Sequence, residues 1–313
     1  MNQGAQNELL PDGSTCRLGI SWKDESWIVD TAGCHEVAAG IGSILSGWDV
    51  QQLPVNADVL PGMRFTRSGD AYDWQMSDDG LAADAVFGRP QSVVTAVSDF
   101  HYMFNDWIVE RYTDYFTLHC AAVELGGGVV LFPGQHRAGK SLISVGLASR
   151  GHRVFADDVL AIDRHSGNVV SLGTQPRLRM PLPAQAIGPG LAAFIARHAG
   201  LADADQQYLR LPPRLLAPVG AARPVVAIVG LRRLNARQPA NLSPSATSNA
   251  LRALIAQNYS HNLPASQVFD KLHAIAARAD CRTLTYSNLD NALTLLETAF
   301  GGVEKSQLLE MVS

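Results

Sequence analysis

Lysine is scarce in this chain. Lys23, Lys140, Lys271 and Lys305 are the only ones, against 25 Lys and Arg together. A lysine inside a motif therefore stands out. Charged residues reach only 17%, below the roughly 25% usual for soluble domains, while apolar residues make up 47%. That balance excludes a disordered chain, which would be rich in charge and poor in apolar residues. The net charge of −4 argues against a general nucleic-acid binder and leaves room only for a local basic groove. Cysteines are few: Cys16, Cys34, Cys120 and Cys281, none in a CxxC pair. Neither a zinc site nor a disulfide framework is expected, and buried reduced thiols are. The opening MNQGAQNELLPDG has no basic and no apolar region of a signal peptide. Apolar runs such as residues 225–231 are far too short to span a bilayer. A cytoplasmic protein with neither membrane nor nucleic acid as partner is expected.

The length of 313 residues allows one large domain or two ordinary ones. Residues 1–14 and 304–313 read as tails, 15–113 as a β-rich region with a connecting helix, and 114–303 as a second domain. In the first region CRLGISW and SWIVD flank KDE as a hairpin, and MRFTR and DAYDWQM look like further strands. Trp22, Trp27, Trp48 and Trp74 fall here and suit a small β core, a ligand face being the alternative. Over residues 91–113, Val93, Val97, Phe100, Phe104, Trp107 and Arg111 recur at three- and four-residue steps, which is helical.

From Phe116 the order is strand, strand, loop, helix, strand, strand. FTLHCAAVEL is followed by glycines, then by GVVLFPG. A helix is expected over 141–150, and RVFA and VLAID are short strands around Asp157 and Asp158. Later helices are expected over 191–198, 266–279 and 289–300, with strands at 224–231 and in RTLTYSN. Ser243-Pro244 reads as the N-cap and first position of a helix running to about Gln257. The whole implies an α/β fold, a mixed sheet with helices, beside a β-rich N-terminal region.

One motif carries chemistry. Gly134-Gln135-His136-Arg137-Ala138-Gly139-Lys140-Ser141 fits G-x-x-x-x-G-K-[ST], the phosphate-binding (Walker A) loop. Its glycines let backbone amides turn inward as a nest for phosphate oxygens, and the helix that follows points its positive end at the same place. Lys140 can neutralise β and γ phosphates, and the Ser141 hydroxyl can ligate magnesium. His136 and Arg137 occupy variable positions of the motif, where they can touch nucleotide or face solvent.

Asp157 and Asp158 follow at the end of a short strand, where ligands bind in α/β sheets. A carboxylate there can accept the proton of an attacking alcohol or hold magnesium; a solvated turn is the usual fate of such a pair elsewhere. His119 lies on the strand before the loop and is either a core histidine or a neighbour of Lys140. Arg177 and Arg179 alternate in QPRLRMPLP and share one side of an extended segment. They can clamp an anionic group or form a solvated rim.

The run of His119, the loop from Gly134 to Ser141, Arg150-Gly151-His152-Arg153 and Asp157-Asp158 resembles the catalytic domain of the HPr kinase/phosphorylases over residues 119–163. The rest is similar to a looser set of HPr-kinase-related proteins that includes kinases of lasso-peptide precursors. The resemblance implies a P-loop core like that of phosphoenolpyruvate carboxykinase. It implies ATP, or another nucleoside triphosphate, with Mg2+ as cofactors. Lys140 would bind the phosphates, Ser141 would ligate the metal, and Asp158 would be the general base. His119 would assist at the phosphoryl site, and Asp157 would support metal or base. The partner would be a peptide or protein with an acceptor hydroxyl, a Ser of a ribosomal natural-product precursor above all, or a small-molecule alcohol. The family also forms oligomers, so a homo-oligomer is compatible with the resemblance.

The chain departs from the family in its substrate-docking signature and N-terminal region, which do not match, and in one feature of the family that bears on metal. The family carries a metal-binding Glu downstream of the acid pair, whereas residues 164–202 here contain neither Asp nor Glu. Two readings follow: a serine-directed kinase, or a catalytically impaired module that binds nucleotide and regulates.

Overall fold

The computed structural model describes residues 14–55, 59–76, 89–134, 138–183, 187–234, 238–260 and 263–302. The chain divides into two compact units, one of Met1–Gly42 with Trp48–His101 and the other of Ser43–Gly47 with Tyr102–Ser313.

In the first unit, β1 (Thr15–Trp22) pairs antiparallel with β2 (Glu25–Ala32), as the KDE turn implied. Lys23 takes the turn at φ 56°, the positive φ that two-residue hairpins favour. Helix α1 (His35–Ile44) follows, and the passage to the second unit at Ser43 lies within it. Strands β3 (Asp49–Leu53), β4 (Met63–Ser68) and β5 (Ala71–Met76) complete a sheet of order β3-β1-β2-β4-β5. Ile20, Val29, Met63 and Phe65 alternate inward and are buried. Trp27 stacks on Phe100 at 5.5 Å, and Trp48 and Trp74 are buried, so the tryptophans build core. Arg17 forks onto Asp30 at 2.7 and 2.9 Å inside this unit, both side chains buried.

Helix α2 (Val93–Arg111) matches the expected periodicity. The division between units falls inside it, between His101 and Tyr102, rather than at residue 113.

The second unit contains β6 (Tyr115–Leu125), β7 (Gly128–Pro133), α3 (Lys140–Ser149), β8 (Val154–Ala156), β9 (Val159–Asp163), β10 (Val169–Val170) and β11 (Arg177–Arg179). It continues with α4 (Pro189–Arg197), β12 (Ala199–Ala202), β13 (Gln206–Leu209), β14 (Ala222–Arg223), β15 (Val225–Arg233) and β16 (Asn241–Pro244). Helices α5 (Thr247–Ile255) and α6 (Ala265–Arg278), strand β17 (Asp280–Tyr286) and helix α7 (Leu289–Phe300) close it. Its main sheet runs β14-β10-β9-β6-β7-β15-β17-β16, with β8 on β6. Strands β7, β15 and β17 are parallel, and the other pairings are antiparallel. Phe132, Val229 and Leu284 pack with α3, α4 and α7 on one face; Phe116, Leu131 and Ile228 pack with α5 and α6 on the other. The fold is α/β, a mixed sheet covered by helices on both faces, with a β-rich N-terminal region.

One expected helix start is corrected. Ser243 and Pro244 are not its cap; they pair with Thr283 and Arg282 as an edge strand, and α5 begins at Thr247. A proline with no N–H to donate costs little at the end of an edge strand, and pairing with β17 overrides the local capping signal. In the small sheet β11-β13-β12, β11 is the extended segment of Arg177 and Arg179, whereas β12 and β13 had no periodic signal in the sequence. The described cysteines are all free and buried.

Candidate functional site

Strand register brings the motif residues together. In the β6–β7 pair Cys120 lies opposite Pro133, so the loop that starts at Gly134 leaves the sheet beside β6. On the other side of β6, His119 lies opposite Val159, the residue after the acid pair. One strand thus carries the loop on one flank and Asp157-Asp158 on the other.

Gly139 takes φ +96°, a left-handed conformation that glycine supplies without strain, and α3 begins at the next residue. Lys140 is 8% exposed and its Nζ donates to Gly134 O at 2.8 Å, linking the first residue of the motif to its lysine. Burial lowers the pKa of this amine, opposed by the charges of Asp158 and Asp157. Gln135, His136 and Arg137 lie outside the described residues. Tyr286, at the end of β17, sets its hydroxyl over Gly139: a Cβ there would come 2.5 Å from Tyr286 Oη.

The two acids differ. Asp157 is 6% exposed, accepting from Ser144 Oγ and from the backbone N–H of Arg177, both at 3.1 Å, and from the Ser141 hydroxyl. Burial pushes its carboxyl up to about 6, with the adjacent Asp158 charge adding to it and these hydrogen bonds opposing it. Asp158 keeps 30% of its side chain exposed; its Oδ1 is 3.0 Å from His119 Nδ1 and its Oδ2 is 3.7 Å from Arg177 Nη2. One acid is built in and the other is presented.

Ser141 and Asp157 offer hard oxygen donors in contact with each other, the donor chemistry magnesium takes alongside substrate phosphates. These residues fit a magnesium–nucleotide complex. No group of three or more potential His, Cys, Asp or Glu ligands forms among the described residues. The segment that lacks acids, β11, instead sends Arg177 onto the acid pair. Arg177 also lies 5.8 Å from the Tyr208 ring, and the charge of Arg179 acts on Lys140.

Other residues of the run have structural work. Arg150 Nη1 donates to Glu297 Oε2 at 2.6 Å, and His152 Nε2 lies 3.0 Å from Glu297 Oε1, tying the end of α3 to α7. Arg153 lies 3.7 Å from Glu124. Sequence reasoning missed Ser144 and Tyr286. Ser144 was within reach of it, one turn beyond Lys140; Tyr286 was not, because its place depends on β17 lying beside β15. A cleft of about 370 Å³ opens beside Gly134, lined also by Asn249, Arg252 and Gln257.

No family model matches the chain. Over 118 residues it is 30% identical to an HPr kinase/phosphorylase of Exiguobacterium sp., covering 38% of this chain and 36% of that protein. Over 69 residues it is 33% identical to an HPr kinase/phosphorylase of Prosthecochloris aestuarii, covering 22% of this chain and 20% of the relative. The chain thus spans about a third or less of the length of these curated relatives. A solved HPr(Ser) kinase/phosphatase from Coxiella burnetii matches 62% of this chain and 92% of its own, at 14% identity and a TM-score of 0.28, too low to bear on function. Over the matched part of its length the chain is similar to HPr kinase/phosphorylases.

Proposed function

We propose, from this partial kinship and from the geometry above, that the protein is a phosphotransferase. It would move the γ-phosphoryl group of ATP, or of another nucleoside triphosphate, to an acceptor hydroxyl. The observation that carries this reading is a partly exposed carboxylate, Asp158, 3.0 Å from His119 just before β9, with the G-x-x-x-x-G-K-S loop on the other flank of β6. A module that only binds nucleotide needs no presented carboxylate.

Magnesium with the nucleotide supplies the electrophilic phosphoryl group and part of the charge neutralisation. The chain's own residues do the rest. Loop amides and Lys140 hold the phosphates, and the Ser141 hydroxyl with Asp157 offers the metal site. Asp158 takes the proton from the acceptor hydroxyl, and His119 orients that carboxylate. The acceptor we favour is a Ser of a peptide or protein, such as a ribosomal natural-product precursor of the lasso type. A small-molecule alcohol is the other class.

The test uses ATP labelled at the γ-phosphate, magnesium and a desalted extract of the source organism, with wild type and Asp158→Asn in parallel. Label on a peptide, protein or metabolite with wild type alone is the expected result. If neither transfers label although magnesium-ATP raises the melting temperature of both, the kinase reading falls. One observation would then favour a nucleotide-responsive regulatory module: Arg177, not a second acidic ligand, faces the acid pair.

A further inference from the structure

We infer that Arg233 is a binding residue for the polyphosphate chain of the nucleotide, on the flank of the loop opposite Asp158. This rests on the phosphotransferase reading and adds a residue that the motif does not contain.

The argument begins with strand length. β15 is parallel to β7, with Ile228 opposite Leu131, and it continues to Arg233 after β7 has ended at Pro133. Its last residues therefore run past the end of β7, where Gly134 begins the loop. Alternation settles the face. Ala227, Val229 and Leu231 belong to the core on the α3 side of the sheet, whereas Ile228 belongs to the core on the α5 and α6 side. Two residues past Leu231, Arg233 is on the α3 side, where Gly139 and Lys140 begin the helix. Arg232 is on the other.

The neighbouring strand gives an independent marker. Arg233 is in register with Tyr286, so the two share a face, and Tyr286 sets its hydroxyl over Gly139. Burial raises the Tyr286 phenol pKa, and the Arg233 charge opposes that rise. Arg233 is exposed, and the ion pairs of neighbouring arginines among the described residues, such as Arg282 with Asp280 and Arg223 with Glu124, do not involve it. A guanidinium in register with the residue that covers Gly139 suits phosphate oxygens, which accept its planar fork of N–H donors. Asp158 holds the opposite flank, so the acceptor enters from that side and the phosphate chain extends toward Arg233.

The test titrates magnesium-ATP and, separately, magnesium tripolyphosphate into wild type, Arg233→Ala, Arg233→Lys and Arg232→Ala. Tripolyphosphate separates a phosphate contact from a contact to the nucleoside. Both arginines are exposed, so the variants should fold, and melting curves check this. Arg233→Ala is expected to weaken both ligands about tenfold, the scale of one charge-assisted hydrogen bond. Arg233→Lys should recover part of the loss, and Arg232→Ala should bind as wild type does. Unchanged affinity in Arg233→Ala, or equal losses in Arg232→Ala, would overturn the inference while leaving the phosphotransferase reading intact. Loss of ATP affinity with tripolyphosphate unaffected would move the contact to the nucleoside and overturn it too. A wild type that binds neither ligand would sink the loop reading and this inference together.

Discussion

His119 Nδ1 lies 3.0 Å from Asp158 Oδ1, across the pairing of β6 with the segment that leads into β9. The pair gives the presented carboxylate a fixed orientation and a neighbour able to share a proton. Asp158→Asn should lower phosphoryl transfer by roughly 10²–10⁴-fold, the usual contribution of a positioned base. Nucleotide affinity should stay within a few fold, because Lys140 and the loop amides are untouched. His119→Ala should cost less and change the pH profile of transfer; an identical loss with an unchanged profile would mean that His119 only packs there.

Gly139 is held by two constraints at once. A side chain at φ +96° is strained, and its Cβ would meet Tyr286 Oη at 2.5 Å. Gly139→Ala should therefore destabilise the protein by about 1–3 kcal/mol, the scale of such backbone strain, and abolish the melting-temperature rise produced by magnesium-ATP. Adding Tyr286→Phe should recover part of the stability by removing the clash. Thermal denaturation with and without nucleotide checks both.

Asp30 receives the fork of Arg17 inside the first unit, with both side chains removed from water. Removing Arg17 leaves the buried Asp30 carboxylate with a longer contact, Arg64 Nη2 at 3.4 Å, in place of the fork. Arg17→Ala should cost about 3–5 kcal/mol, and the double replacement Arg17→Met with Asp30→Leu much less than that single loss. Chemical denaturation of the three proteins decides it; equal costs for the single and double variants would contradict the account.

Glu297 ties α7 to the end of α3. Burial would raise its carboxyl, but hydrogen bonds from Arg150 and His152 outweigh this and hold it below its ordinary value. A depressed carboxylate contributes stability that is present above its unfolded pKa and is lost as pH falls through the folded one. Wild type should lose this contribution as pH drops below about 4.3, the ordinary glutamate value. Glu297→Gln should be less stable than wild type at pH 7, and the gap should narrow as pH falls through that range.

Signals that the sequence determined by itself are local. Hydrophobic spacing placed α2 and α7, and the turn residues placed the β1–β2 hairpin. Asn288 caps α7 by accepting from Asn291 N at 3.0 Å, an interaction of residues three apart. The G-x-x-x-x-G-K-S loop was legible because the glycine conformations and helix start that it needs are set within a few residues. Tertiary structure decided what depends on distant partners. Ser243-Pro244 became an edge strand because β17 lay there to pair with it. Asp157 was separated from Asp158 because one met Arg177 N, Ser141 and Ser144 in the interior while the other met His119 at the rim. Tyr286 reached Gly139 only because the parallel order β7-β15-β17 puts two remote strand ends at one edge of the sheet. Local propensity acts over one or two turns of chain, whereas register, burial and charge environment are set by whichever segments the sheet brings side by side.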